Sequence, residues 1–597
     1  MKKTLIILGI VALALSCTQN GIDNPEISIE ELNDHISFLA SDSLKGRKPG
    51  TAEGKISAEY IAKQFKSFGY NLISEDGFQY FDVITGVVAG EGNALSFDES
   101  SASLNEDFIP FNFSANGSLE AEVIFCGFGF DINKKGLSWI DYKDIDVNGK
   151  WVMILRADPE LDNDESLFIP YSSDRDKVLT AKDKGAAGVL LVSGVEYDKK
   201  DELAKLVADQ MGSNSGIPAF HITRSFANEM LNKSGNTIEK LEANLIKERD
   251  PKPFSCDIRL KGTSEIEFKK VETQNVLGFL EGNDPLLKDE ILVIGGHYDH
   301  LGFGGPNSGS RVPHENGIHY GADDNASGIA SIIEIAEKLA ANKKSLKRSV
   351  LVMAFGAEEM GLLGSKHFTS NPLVELKKIV AVINVDMVGR MKESKELMVG
   401  GTGTSVEAEE LLNTLVEGTG LKLAMSPNGF GPSDHASFYV EEISVFFFST
   451  GAHEDYHTPR DVIGAINFEG LKLLDDFIYE LSVSIVTSDS GLTFQEAGPM
   501  QQNTGARRRS GVTLGIMPSF TDTGNQGLGV DGVTPGKPAY LGGIKKGDVI
   551  IAIEGKEVTN IYDYMARMNK LDFGQTITVD VMRDGEKQVF LIQLDDK

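Results

Sequence analysis

The sequence predicts an α/β protein: a mostly parallel sheet with helices on both faces, interrupted by a β-rich block and followed by a small compact block. Three observations carry that expectation. From about residue 264 to 486, apolar strand runs alternate with amphipathic helical runs, the pattern of a parallel sheet with crossover helices. From 117 to 262 the runs are short, apolar and separated by turn residues. A last block, 511–597, is set off by the stretch 487–510, which lacks periodicity, is rich in Ser, Gly, Gln and Thr, and reads as a linker.

Composition narrows the function. A chain of 597 residues has room for roughly three or four domains. Its 41% hydrophobic and 24% charged content excludes wholesale disorder and collagen-like repeats. Acidic residues outnumber basic ones, 88 to 58, and a net charge of −30 repels polyphosphate, which argues against nucleic acid as a partner. Three cysteines make neither a disulfide framework nor a Cys-rich zinc module. Any metal must be held mainly by His, Asp and Glu.

The elements follow in order. Lys2 and Lys3 precede an apolar run, Thr4 to Leu15, too short to span a bilayer. The run closes on Ala14-Leu15-Ser16-Cys17 before the chain turns polar. It resembles a bacterial lipoprotein signal, over 1–17, with Cys17 as the lipidated residue and Ala14 where Leu is usual. The protein is then expected to be exported and tethered in the cell envelope, at the outer membrane facing the periplasm, with the lipid as its only membrane attachment. Residues 26–113 open helically: Ile56, Tyr60, Ile61, Phe65 and Phe68 recur at three- and four-residue spacing until Gly69. In the β-rich block, Ala121–Phe125, Trp151–Leu155, Val189–Val192 and Ala219–Ile222 read as strands. In 264–486 the strands are Ile291–Ile294, Val350–Phe355, Ile379–Val385 and Ile443–Phe448, and the helix after Ser327 carries Ile329, Ile332, Ala336 and Leu339 on one face.

Chemistry gathers where those strands end, in the crevice where open α/β sheets bind ligands. Ile291–Ile294 runs into Gly295-Gly296-His297-Tyr298-Asp299-His300, with Asp299 placed to hold the second ring nitrogen of His297. Gly321-Ala322-Asp323-Asp324-Asn325-Ala326-Ser327-Gly328 precedes the amphipathic helix; Asn325 or Ser327 can cap it, but a cap needs no pair of aspartates. Val350–Phe355 ends in Gly356-Ala357-Glu358-Glu359, adjacent glutamates that point different ways and can divide metal binding from proton transfer. Asp386 follows a buried apolar strand, where an isolated carboxylate is costly unless paired, protonated or metal-bound. Ile443–Phe448 leads to Gly451-Ala452-His453-Glu454-Asp455-Tyr456-His457-Thr458-Pro459-Arg460-Asp461.

In this order and spacing the motifs G-G-H-Y-D-H, G-A-D-D-N-A-S-G, A-E-E-M-G-L-L-G-S, N-V-D-M and D-Y-H-T-P resemble the M28 family of di-zinc metallopeptidases, over 26–113 and 264–486. Leu44-Lys45-Gly46-Arg47-Lys48-Pro49-Gly50-Thr51 resembles the family's amino-terminal signature. The resemblance implies that His297 and Asp386 hold one zinc ion, Glu359 and His457 the other, and that Asp324 bridges both, with a cis peptide to Asn325. It makes Glu358 the general base and Tyr456 the oxyanion donor, a role that in some relatives falls to a tyrosine at the position of Phe430. Asp299 and Asp461 are expected to support the ligands from behind, and Ser433-Asp434-His435 to shape the pocket. The implied function is release of amino-terminal residues from peptides by zinc-activated water. Carboxypeptidases and dipeptidases share the fold and remain the alternative; a non-catalytic peptide receptor would lack ligands that are present here.

The block 117–262, with Cys126-Gly127-Phe128-Gly129, Gly185-Ala186-Ala187-Gly188 and Gly216-Ile217-Pro218-Ala219, resembles a protease-associated (PA) domain, which in such peptidases can restrict access to the cleft. Cys126 and Cys256 lie near its ends, and both a disulfide and two buried thiols are compatible with the sequence. The block 511–597, with Leu514-Gly515-Ile516 and Pro538-Ala539 leading to Gly547-Asp548-Val549-Ile550, resembles a bacterial PDZ domain. Such domains add a peptide strand to a sheet edge and can seat a carboxyl terminus, here near Leu514–Ile516.

Overall fold

The computed structural model describes residues 25–595 apart from 75, 135, 164, 209–211, 307, 499–511, 520–525 and 535. Cys17, the apolar run before it and the second half of the linker stretch, 499–510, lie outside the described residues. The chain forms two compact units, 1–80 with 274–498, and 81–273 with 499–597. No helix among the described residues is long and apolar enough to cross a membrane.

The first unit is built on a sheet whose strands lie in the order Asn71–Leu72, Ile266–Leu280, Ser349–Phe355, Ile291–His297, Ile379–Val385, Val445–Ser449, Glu396–Gly400, Lys422–Met425. The four central strands, Ser349–Phe355 to Val445–Ser449, are mutually parallel. They are buried along their whole length apart from single half-buried residues, which is why they read as near-continuous apolar runs. Helices cover both faces. Ile29–Leu39, Ala52–Ser67, Gly328–Ala341 and Phe468–Thr487 share one core with Leu292, Ile294, Val352 and Ile383. The short helices Leu363–Ser370 and His435–Tyr439 pack on the other face, where Phe438 meets Phe355 and Phe368.

Local chemistry explains the boundaries. Thr51 caps Ala52–Ser67 by accepting the Gly54 N–H at 3.1 Å. Its buried face is Ser57, Ala58, Ile61, Ala62 and Phe65; Ile56, expected on that face, is 45% exposed, because it falls one position off the stripe. Asn325, not Ser327, caps Gly328–Ala341, its Oδ1 accepting the Gly328 N–H at 3.0 Å. Residues 488–498 run along the first unit as a packed arm: Phe494 bridges to Ser405, and the Tyr439 hydroxyl and the Ala497 N–H meet at 2.9 Å.

The second unit holds an eight-stranded sheet, in which Gly117–Phe125, Trp151–Leu155, Gly188–Val192 and Ala219–Ile222 are parallel neighbours. Ala94–Phe97 and Phe108–Pro110 join this sheet through Phe254–Ser264 and Ala219–Ile222, so residues 81–113 fold with the β-rich block rather than with the helical opening to which the sequence reading joined them. Cys126 and Cys256 are buried free thiols in two separate cores. No disulfide joins them. A smaller sheet, Ile516–Pro518, Leu528–Val533, Val549–Ile553, Thr576–Arg583 and Glu586–Gln593, closes around Leu514, Ile550, Val579 and Ile592. Its helix Ile561–Met568 docks on the helix Asp174–Asp183: Arg567 Nη2 donates to Asp183 Oδ1 at 2.9 Å, and the Arg175 guanidinium lies 3.9 Å from the Tyr562 ring centre.

Candidate active site

The site is built where chain order reverses. From Ile291–His297 the next central strand, Ser349–Phe355, lies on one side and the one after it, Ile379–Val385, on the other. A crevice opens at the carboxyl ends of strands so arranged. His297 is the last residue of its strand, Glu358 and Glu359 follow the second, and Asp386 follows the third. His457 comes from the loop after Val445–Ser449, and Asp324 from the turn Ala322–Ser327 before the long helix; the peptide between Asp324 and Asn325 is cis.

These side chains converge. His297 Nε2 lies 3.3 Å from Asp324 Oδ1 and 3.3 Å from Asp386 Oδ1. His457 Nε2 lies 3.2 Å from Asp324 Oδ2 and 3.0 Å from Glu359 Oε2. Asp324 thus gives one oxygen to each of two donor groups. Zinc bonds of about 2.0–2.1 Å in a tetrahedral site place neighbouring donors roughly 3.3 Å apart, and the imidazole–carboxylate spacings around His297 and His457 match that separation. Imidazole with carboxylate is also the donor chemistry that suits zinc. Both histidines are turned by their other nitrogen: His297 Nδ1 donates to the Asp299 carbonyl at 3.2 Å, and His457 Nδ1 to the Gly309 carbonyl at 3.0 Å. The Nε2 lone pairs therefore face inward.

Residues 275–482 match peptidase family M28, 115–230 the PA domain and 510–594 the PDZ domain. The first unit carries an M28 peptidase domain. Aminopeptidase YwaD of Bacillus subtilis is 25% identical over 449 residues, covering 73% of this chain and 81% of the relative. The probable lipoprotein aminopeptidase LpqL of Mycobacterium tuberculosis is 24% identical over 369 residues, covering 61% of this chain and 59% of the relative. Among solved structures, BSAP, a zinc aminopeptidase from Bacillus subtilis, aligns with a TM-score of 0.43 at 23% identity, over 79% of this chain and 99% of that one.

The surroundings of the M28 site set its charges. Glu358 Oε2 is 4.0 Å from His297 Nε2. Burial pushes its carboxyl well above the usual range against the pull of His297, and Glu359, Asp434 and Asp386 add to the rise. Asp324 is held well below its usual value by His297, His300 and His457, which outweigh its burial. The Tyr456 ring stacks on His457 at 3.8 Å between centres, with Arg311 at 4.6 Å from the ring centre on the phenol. Phe430 is half-buried. His435, stacked on Phe447 at 4.5 Å, is pulled down to about 3 by burial and stays neutral. Ser433 accepts from Asn384 Nδ2 at 2.8 Å, which ties that segment to the third strand.

Two supporting aspartates act differently from a simple partner to a histidine. The Asp299 carboxylate lies 3.8 Å from His297 Nδ1, beyond hydrogen-bond reach, while its Oδ1 accepts the Glu358 N–H at 3.0 Å. It holds the loop of the two glutamates, and only its carbonyl serves His297, because that carbonyl lies nearer the ring. Asp461 accepts the N–H groups of Asp323 and Asp324 at 3.0 Å each on its Oδ2.

Sequence reasoning missed four groups. Arg47 is fully buried and donates to the carbonyls of Leu39, Tyr298, Tyr320 and Gly321 at 2.6–2.9 Å. His453 Nε2 meets Asp323 Oδ2 at 3.1 Å, tying the loop of His457 to that of Asp324. The Gly309 carbonyl turns His457. His300 Nδ1 lies 2.7 Å from Glu359 Oε1. The signal for His300 in the sequence is its place in G-G-H-Y-D-H, and its contact with Glu359, 59 residues later, leaves no trace in residue spacing.

Proposed function

We propose that the protein is an exported, zinc-dependent aminopeptidase that releases amino-terminal residues from peptides with two zinc ions. The observation that carries this reading is the division of Asp324 between two histidines, Oδ1 lying 3.3 Å from His297 and Oδ2 3.2 Å from His457. His297, Asp324 and Asp386 would hold one ion, and Asp324, Glu359 and His457 the other. With three protein donors each, both keep room for water or substrate. Bound zinc supplies a water acidified towards about pH 7 and a Lewis acid for the scissile carbonyl.

The remaining work falls to the chain. Glu358 faces the cluster without belonging to either donor group, its Oε2 4.0 Å from His297 Nε2, which places it to take a proton from the attacking water and pass it to the departing amine. The Tyr456 hydroxyl donates to the carbonyl oxygen as charge develops there. Stacking on His457 keeps the phenol beside the residues that would hold the ions, and burial keeps it protonated. Release of an amino-terminal residue is the activity named for YwaD and BSAP, and it extends to this chain as part of the proposal. Lipidation at Cys17 and anchoring in the cell envelope belong to the same reading, in keeping with the name of LpqL. The PDZ domain is proposed to seat a peptide or protein carboxyl terminus.

Glu358→Gln removes the base and keeps the shape. Its kcat on an unblocked peptide is expected to fall about 10²- to 10⁴-fold with zinc content unchanged. Activity within a few fold of wild type at equal zinc content contradicts the assignment.

A further inference from the structure

His300 has no part in the scheme above, yet it is 1% exposed and lies against the cluster. Its Nδ1 forms a group with Asp324 and Glu359 whose donor atoms lie within 4.8 Å of one another, so on proximity alone it qualifies as a further metal ligand. The distances separate the alternatives. The inward nitrogens of His297 and His457 sit 3.0–3.3 Å from their carboxylate neighbours, the spacing of donors that share an ion. His300 Nδ1 is 3.8 Å from Asp324 Oδ2 but 2.7 Å from Glu359 Oε1, the length of a direct charge-assisted hydrogen bond.

The two oxygens of Glu359 are thereby divided. Oε2 faces His457 and the bridging Asp324; Oε1 faces His300. The other nitrogen settles the proton. His300 Nε2 is buried with no hydrogen-bond partner among the described residues. A proton there would be a buried donor with nothing to receive it, which is costly. The proton therefore sits on Nδ1 and is donated to Oε1, and a nitrogen so engaged has no lone pair for a metal.

We propose that His300 is a positioning residue: its Nδ1–H occupies Oε1 of Glu359, so that Glu359 meets the second zinc through Oε2 alone. One coordination position that a two-oxygen grip would fill is then left for water or substrate. Ion–ligand partners of this kind, one layer out, commonly change metal affinity by about 10- to 100-fold when removed. The inference rests on the two-zinc reading.

The test is zinc titration of the full chain against a chromophoric chelator, with absorption spectra of the cobalt-substituted protein. The variants are His300→Leu and His300→Asn, with His300→Ala in place of the leucine should that not fold. Asparagine carries an amide N–H close to where Nδ1 stands. Wild type is expected to take two equivalents. His300→Leu should still take two at saturation, one of them weakened about 10- to 100-fold, with fainter cobalt bands as the coordination number rises. His300→Asn should stay within about threefold of wild type with its spectrum restored. Loss of one equivalent in both variants, however much zinc is added, would make His300 a ligand and overturn the proposal. Unchanged affinity and spectrum in His300→Leu would reduce it to packing. A wild type that takes fewer than two equivalents removes the two-zinc reading, and this proposal with it.

Discussion

Arg47 shows how a single side chain can organise a site it never enters. Its guanidinium is buried and spends its donors on four carbonyls, two of them at Tyr320 and Gly321 just before Asp324, and one at Tyr298 just after His297. Burial pulls it down to about 10, while Asp324, Asp299, Asp461 and Glu359 support its charge, so it remains a cation beneath an acidic cluster. Arg47→Met leaves those carbonyls without a donor at about 1–3 kcal/mol each, and is expected to lower the thermal midpoint and weaken zinc retention together. Arg47→Lys, with three donors and no planar fork, should recover part of both. Calorimetry with and without added zinc checks this; a variant that unfolds with wild-type midpoints in both conditions contradicts it. The motif around Arg47 was visible in the sequence, but its role was not, because its partners are backbone atoms that every residue carries.

At the scale of elements, the strand ends were legible and the loops between them were not. Ile379–Val385, Trp151–Leu155 and Ala219–Ile222 were read with the bounds they have, since buried parallel strands print their burial as apolar runs. Asp386 follows directly from the first of these, and His297, Glu358 and Glu359 lie at the ends of Ile291–His297 and Ser349–Phe355. What the sequence could not show is how the chain leaves each strand. Ala357, Met387 and His457 adopt left-handed backbone, with φ of 59°, 55° and 57°, and none is glycine. Such residues are costly and cluster at functional sites. They turn the neighbouring side chains toward the crevice, and the turns themselves are written in no residue type.

The strands Asp131–Lys134 and Leu137–Ile140 carry a pH dependence of their own. Buried Asp141 accepts from the Phe130 N–H and the Trp139 indole at 2.8 and 3.0 Å, yet burial outweighs these and pushes it up to about 7. Its folded value lies above its unfolded one, so the folded state binds the extra proton, and the stability this gives is lost as pH rises towards 7. Lys177, pulled down to about 7 by burial, stays charged through most of that window. The difference in thermal midpoint between wild type and Asp141→Asn should therefore shift against wild type from about pH 4 to 6.5. A difference that is flat over this range contradicts the assignment.

At the scale of the whole molecule, the chain divides its labour. A mixed sheet with four parallel central strands and helices on both faces supplies rigid strand ends for the M28 site, while the PA and PDZ blocks form the second unit, joined to each other by Arg567 with Asp183 and Arg175 with Tyr562. The boundary missed at 81–113 has a physical cause. Ala94–Phe97 and Phe108–Pro110 are too short to announce their partners, and those partners lie more than a hundred residues later. The net charge of −30 favours neither nucleic acid nor anionic surfaces, which leaves peptides and a lipid tether as the proposed contacts. Aminopeptidase activity is read from the products formed from matched peptides with free and acetylated amino termini, with zinc and with a chelator. Single amino-terminal residues are expected from the free peptides only, abolished by the chelator. Cleavage of acetylated peptides from the carboxyl end would contradict that expectation and move the same metal site to carboxypeptidase chemistry.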